Sequence, residues 1–391
     1  MAVSSKVLRD SKYGFIANRK KIGINIWRFI FNGIDKVSGT ESMFFIELEL
    51  LNSYIPSPEP VLGFKPRIKI TSEDLQYALA GTSSAQNIQS ETIVQPSYVV
   101  IRVAKLGADS KHVCSYHSIK SLKVSQKPFS MLVGNKLFAE DKLSGFINIT
   151  EDEYQKHPEY LCDKGYVTWN LNYEIQKDFS SGFKSKTDRW FPFGIRTAFS
   201  GTINFNGNDY IVDSKKSYGY MDRYWGKSMP DTWFHISSTD LTSIISGKKL
   251  FDSSFSVQGE FNKRISFVGN FEGSDVSFCA DSSKRSYSTV WSCIQTPEND
   301  DENENKLHWS VSVNSKQWVI DIDLYCRINE LNNRLLEMPE GDRKVLNVLY
   351  GGTGTGEIKL FKRDRKNLEQ IEYAKITKTV CEFGHVEEGE I

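Results

Sequence analysis

Tyr220-Met221-Asp222-Arg223-Tyr224-Trp225-Gly226, followed by Pro230 and by Trp233-Phe234-His235, is the stretch on which the reading of this chain turns. Tyr218, Tyr220 and Asp222 are two apart, so on a strand they share one face. Trp233, His235 and Ser237 share a face of the next strand in the same way. The sequence on either side keeps the same period. Gly201-Thr202-Ile203-Asn204-Phe205 meets Asn206-Gly207, a hairpin turn, and resumes as Asp209-Tyr210-Ile211-Val212. Val99, Ile101 and Val103 alternate with Tyr98, Val100 and Arg102. Trp318, Ile320, Ile322 and Leu324 alternate with Asp321 and Asp323. About nine or ten such runs precede residue 215 and about nine follow residue 230.

Helical signals are few. Thr71-Ser72-Glu73-Asp74 opens a short helix that Gly81 ends, and Thr150 with Glu153 forms a capping box ahead of Pro158. Residues 328–338 read as a third helix, closed by Pro339. Long parallel crossovers would need more helix than this. The expected fold is therefore all-β, two antiparallel barrels in tandem with a few short helices, divided as residues 1–215 and 216–391. The seam falls near residues 215–230. Loop insertions are expected at residues 56–64, 81–96 and 298–306.

Composition bounds the function. The chain has 391 residues, 39% hydrophobic and 25% charged, enough for a real core. Lys+Arg and Asp+Glu both number 49, so no global field favours nucleic acid or an anionic surface. No apolar run reaches the length of a membrane span, and the first residues lack a secretory signal. The six cysteines lie far apart, without a Cys-x-x-Cys pair, and read as reduced residues of a cytoplasmic protein. Gly351-Gly352-Thr353-Gly354-Thr355-Gly356 is followed by Glu357-Ile358 where a phosphate loop needs Lys and Ser/Thr, so it reads as a glycine-rich bulge. No sequence feature calls for a nucleotide, a metal or another cofactor. The oligomeric state has no signal.

The candidate site lies in the opening stretch. An acid desolvated among aromatics holds a proton and can protonate an alkene or a leaving group, and aromatic faces stabilise the cation that follows. Asp222 is placed to do this, or to pair with Arg223 or Arg196 and buttress the seam. Trp225-Gly226 reads as framework, the glycine in a conformation that other residues disfavour. His235 is an acid/base partner or a satisfied core histidine. His112 and His117 are five apart and fall on opposite faces, which argues against a two-histidine metal site; His117 is taken as the inward-facing one.

The stretch from Tyr220 to Trp233-Phe234 resembles the signature of the tocopherol cyclase family. Lys12-Tyr13-Gly14-Phe15, Trp27 with Phe29, Phe44-Phe45-Ile46-Glu47-Leu48, Phe199-Ser200-Gly201-Thr202-Ile203 and Glu382-Phe383-Gly384 resemble further segments of that family. The resemblance implies two lipocalin-like barrels around an apolar pocket. It also implies cofactor-independent, acid-catalysed cyclisation or hydration of a lipophilic, prenylated substrate. In that picture Asp222 delivers a proton to an alkene, and Tyr220 and His235 orient the oxygen nucleophile. Trp27, Trp225 and Trp233 wall the cavity, with Phe29, Glu47 and His117 beside the ligand. The family acid is Asn25 here, its glycine Ile26, and further polar positions are Tyr224, His235, Ser237 and Thr239. Framework is kept while polar groups change. The alternative is a non-catalytic protein that binds an apolar small molecule in the same cavity.

Overall fold

A computed structural model describes residues 22–63, 95–179, 182, 188–215, 218–260, 264–281, 288–296, 305–341, 345–365 and 367–387. Lys12 to Phe15, the helix expected from Thr71, and most of the loops at 81–96 and 298–306 lie outside the described residues.

The first sheet begins with β1 (Ile24–Asp35), β2 (Glu41–Leu51), β3 (Tyr98–Leu106) and β4 (Lys111–His117). It continues through β5 (Leu122–Gln126), β6 (Phe129–Val133), β7 (Lys136–Ala139) and β8 (Lys142–Ile149). β9 (Gly165–Lys177), β10 (Asp188–Phe205), β11 (Asn208–Asp213) and β12 (Gly219–Gly226) complete it. The second sheet holds β13 (Thr232–Ser238), β14 (Leu241–Ser243), β15 (Ser254–Glu260), β16 (Arg264–Phe271) and β17 (Ser274–Asp281). β18 (Ser288–Thr296), β19 (Lys306–Asn314), β20 (Trp318–Arg327), β21 (Asn332–Glu337), β22 (Val345–Asp364) and β23 (Asn367–Glu387) follow. Every ladder is antiparallel. Each sheet curls until its arms touch, β4 against β8 and β17 against β18, which makes two barrels in tandem. No helix among the described residues is long and apolar enough to cross a membrane.

The turns follow their chemistry. Asn206 and Gly207 both take positive φ, as the two-residue hairpin between β10 and β11 requires. Thr150 and Glu153 cap α1 (Glu151–Lys156) reciprocally. The glycine run lies inside β22, where its register against β23 shifts between Gly351 and Gly354 and again before Gly356.

Two expectations are corrected. Residues 328–338 form one 3-10 turn, Ile328–Glu330, and then β21, because β22 offers a ladder to Asn332–Glu337 and tertiary pairing overrides local helix propensity. Gly226 owes its place to crowding rather than to a left-handed φ: a Cβ there would stand 2.7 Å from Tyr224 Oη and 2.8 Å from the Ser228 carbonyl. β12, which the expected division at residue 215 assigns to the second half, is paired with β1 and β10 in the first sheet.

Three cores result. One fills the first barrel and includes Trp27, Phe29, Ile101, Trp169 and Phe199. Another fills the second barrel, with Trp309, Ile320, Ile322 and Leu324. The third lies between the barrels and joins Ile26, Ile30 and Phe45 of the first to Trp233, Leu336, Leu346 and Tyr350 of the second. β1, β2 and β3 are therefore buried on both faces, and read as near-continuous apolar runs. β9 and β20, which face water on one side, alternate.

Glycine lets one tryptophan of the inter-barrel core lie close against its own sheet. Trp233 lies across the ladder from Gly384, where a Cβ would meet the indole Nε1 at 2.2 Å. Gly384→Ala is expected to cost about 1–3 kcal/mol, read as a lower midpoint of urea unfolding. An unchanged midpoint would mean the indole moves aside freely.

Candidate functional site

Alternation along β1 sends Trp27, Phe29 and Phe31 into the first barrel and Ile26, Arg28 and Ile30 towards the second. Arg28 stands opposite Asp222 on β12 and opposite Glu47 on β2. In the second barrel His235 on β13 stands opposite Glu382 on β23 and Gln258 on β15. The seam between the barrels brings these positions face to face.

Four donors converge on Asp222. Arg28 gives Nε at 2.7 Å and Nη2 as well; Trp190 Nε1 and Tyr220 Oη each donate at 2.8 Å. The partner of Asp222 is thus Arg28. Arg223 instead points into the first barrel, bonding Asn25 Oδ1 at 2.9 Å with its guanidinium 4.7 Å from the Trp27 ring. Burial, then Arg189, lowers its pKa to about 9. Arg196 pairs with Asp252 and stacks on Tyr218.

The charges continue across the seam. Arg28 Nη1 reaches Glu382, which accepts from Arg334 Nη2 at 2.7 Å and from His235 Nδ1 at 2.8 Å. Arg334 stands 3.3 Å from Glu47; Arg102 bonds Glu47 at 2.9 Å and ends the row on Glu49. Asp222, Arg28, Glu382, Arg334, Glu47, Arg102 and Glu49 alternate in sign, none more than 3% exposed. Burial opposes the charge of Arg28, yet Asp222 and Glu382 outweigh it and hold its pKa well above the usual value. Burial likewise opposes ionised Glu382, but Arg28 and Arg334 hold that carboxylate well below its usual range. At the far end burial prevails over Arg102 and raises the pKa of Glu49. The row sets four carboxyls against three guanidiniums.

Next to the row lies a triangle of exchangeable protons. Tyr220 Oη is 3.0 Å from Ser256 Oγ and 3.1 Å from His235 Nε2, and Ser256 Oγ is 3.2 Å from that same nitrogen. Ionised Glu382 only accepts, so the His235 proton sits on Nδ1 and Nε2 offers its lone pair. Burial, then Arg28, lowers the pKa of His235 and keeps it neutral, while burial, then Asp222, raises that of Tyr220 well above its usual value. Tyr220, 3% exposed, borders a shallow surface cleft with Ile30, Met43, Tyr218, Ser237 and Val380. Such a triangle can pass a proton from a hydroxyl in the cleft to an imidazole behind it.

Asp222, Tyr220, His235, Trp233 and Glu47 thus meet at the seam. Trp27 and Phe29 do not: they face the interior of the first barrel. Trp225 packs against that same core from its edge, with Arg189 5.2 Å from its ring. His117 lies at the inner face of β4, beside Ser115 and Lys136. Arg28, Trp190, Ser256 and Arg334 were missed by sequence reasoning, and Glu382 was noted only as framework. The signal for Arg28 was a charge inside an otherwise apolar strand, Ile26-Trp27-Arg28-Phe29-Ile30, whereas Trp190, Ser256 and Arg334 carried none of that kind.

No family model matches the sequence, and no curated protein does. Among solved structures, kievitone hydratase from Nectria haematococca is similar over 97% of this chain and 92% of its own, at 12% identity and a TM-score of 0.43. A candidate AttH protein (NE1406) from Nitrosomonas europaea is similar over 97% of both chains, at 12% identity and a TM-score of 0.40.

Proposed function

We propose that the protein is a cofactor-independent enzyme that adds an oxygen nucleophile across a carbon–carbon double bond of a lipophilic substrate held at the seam. The nucleophile is water in a hydration or the substrate's own hydroxyl in a cyclisation. The observation that carries this reading is the triangle of Tyr220, Ser256 and His235, oriented by Glu382 and open to the cleft through Tyr220. Tyr220 is the catalytic residue that meets the substrate. The nucleophile's O–H donates to Tyr220 Oη, whose own proton turns from Asp222 to His235 Nε2 and passes to that nitrogen as the new C–O bond forms. Glu382 stabilises the imidazolium. The π electrons move towards a conjugated carbonyl, and the proton returns through Tyr220 to the carbon that carried them. Atoms and charge balance, with no oxidant or reductant.

Asp222 takes a different part from the acid that the resemblance implies. It has no exposure and accepts from four donors, so it positions Tyr220 rather than protonating an alkene. An electron-poor, conjugated double bond suits this arrangement better than an isolated prenyl one.

The test begins with mass spectrometry of an organic extract of the freshly purified protein, to supply the molecule it holds. Turnover of that molecule in labelled water should insert heavy oxygen in a hydration, or one deuterium in a cyclisation. Tyr220→Phe and His235→Gln should each lower kcat by about 10²–10⁴-fold with the fold retained. A bound molecule that neither protein nor variant converts would sink the enzymatic reading and leave a carrier.

A further inference from the structure

The first barrel carries a second polar cluster on its inner face. Ser115 and His117 lie on β4 in alternation with Val113, a core residue of that barrel. Lys136 opens β7 on the face of Phe138, and Trp169 on β9 belongs to the same core. Ser115 Oγ hydrogen-bonds His117 Nε2; Lys136 Nζ stands 3.3 Å from that nitrogen and 3.2 Å from Asn135 Oδ1. Gly145 makes room for them, since a Cβ there would lie 2.6 Å from Trp169 Cζ2 and 2.9 Å from Lys136 Cγ. Cζ2 is on the N–H edge of the indole, so that edge runs beside the lysine stem.

The cluster holds no anion among the described residues: Lys136 Nζ meets only the neutral acceptors His117 Nε2 and Asn135 Oδ1. Lys136 is 6% exposed, and no carboxylate pairs with it among the described residues; burial alone lowers its pKa to about 8. Trp169 is 2% exposed and its Nε1 has no hydrogen-bond partner among the described residues. Burial, then Lys136, brings His117 down to about 4, so it adds no charge at neutral pH. A buried cation and a buried N–H left this way are costly, and one anion satisfies both. Ser115 and His117 are only half-buried, which leaves an approach from solvent.

We infer that Lys136, Trp169 and Ser115 form a carboxylate site at the half-buried end of the first barrel, beside His117, for the acid end of an apolar molecule. The carboxylate accepts from Lys136 Nζ, Trp169 Nε1 and Ser115 Oγ, a charge-assisted set that a neutral ligand would leave unmet. The apolar side chains around the cluster, Val113, Phe138 and Trp169 among them, favour a carboxylate that carries an apolar chain over a free small anion.

Calorimetric titration of the full chain with decanoate, decanol and acetate tests this. Decanoate should bind at least about tenfold more tightly than either of the others. Lys136→Gln should weaken decanoate by about 10–100-fold and Trp169→Phe by a smaller factor. Lys136→Gln should also unfold no earlier in urea than the parent, because it removes a buried charge without a counter-ion, so weaker binding cannot be laid to misfolding. Decanol binding as tightly as decanoate, or Lys136→Gln binding decanoate like the parent, would overturn the site. Acetate matching decanoate would overturn the apolar ligand and leave a small-anion site.

Discussion

Arg28→Met is expected to destabilise the protein by about 3–5 kcal/mol, the largest effect of any single substitution in the seam. Among the described residues Arg28 is the one cation that touches both Asp222 and Glu382. Methionine fills a similar length, so the change is mainly one of charge. Glu382 keeps Arg334 and His235, but Asp222 keeps only the neutral donors Trp190 and Tyr220 and loses its counter-ion at zero exposure. The cost is that of a buried charge left unpaired; a buried ion pair as a whole adds far less. The double variant Arg28→Met with Asp222→Asn separates these. It should recover more than half of the loss, because the orphaned charge is gone, and the shortfall from additivity measures the pair. Urea unfolding followed by tryptophan fluorescence reads both. A single variant within about 1 kcal/mol of the parent would mean that water reaches Asp222 and that the row behaves as a surface network.

The same residues show how far the sequence could be read. Alternation exposed the two barrels because most strands face water on one side, and Asn206-Gly207 and the Thr150 capping box fixed local turns. Residues 328–338 misled because the partner that makes them a strand, β22, is not visible in local propensity. Asp222, Tyr220 and His235 were found together because two strands adjacent in sequence meet at the seam. Arg28 and Glu382 lie 194 and 160 positions from Asp222 along the chain, and no local pattern says that β1, β12 and β23 converge. Strand parity gives Trp27 and Phe29 to the barrel interior and Arg28 to the seam, a division that rests on a register no local pattern fixes. Charges inside doubly buried strands were the legible clue. Arg28, Glu47, Glu49 and Arg102 each interrupt an apolar run, and each required a partner that only the fold supplies.

Stability is expected to fall in two steps on acidification, and the seam sets both. The folded-state pKa of His235 is lowered from 6.5, by burial and then Arg28. Below pH 6.5 the unfolded chain takes up a proton that the folded chain refuses, so this contribution is complete above 6.5 and declines as pH falls towards the folded value. The slope approaches about 1.4 kcal/mol per pH unit for one such group. His112, lowered chiefly by burial, and His117 act in the same direction, so His235→Gln removes part of the first step rather than all of it. Glu382 governs the second. Its pKa lies well below 4.5, through Arg28 and Arg334 against the effect of burial. Its contribution is whole above pH 4.5 and is lost as pH falls from there towards the folded value. Glu49, raised by burial, runs the other way: its contribution is whole below 4.5 and lost as pH rises through the folded value, so on acidification it offsets part of the first step. Urea-unfolding free energies of the parent and His235→Gln, measured at pH 7.5 and 5.5, decide the assignment. Glutamine keeps a donor for Glu382 but has no proton to gain, so the parent should lose up to about 1.4 kcal/mol more than the variant between these two values. Parallel losses would place the first step on His112 and His117 and leave His235 as easily protonated in the folded seam as in the unfolded chain.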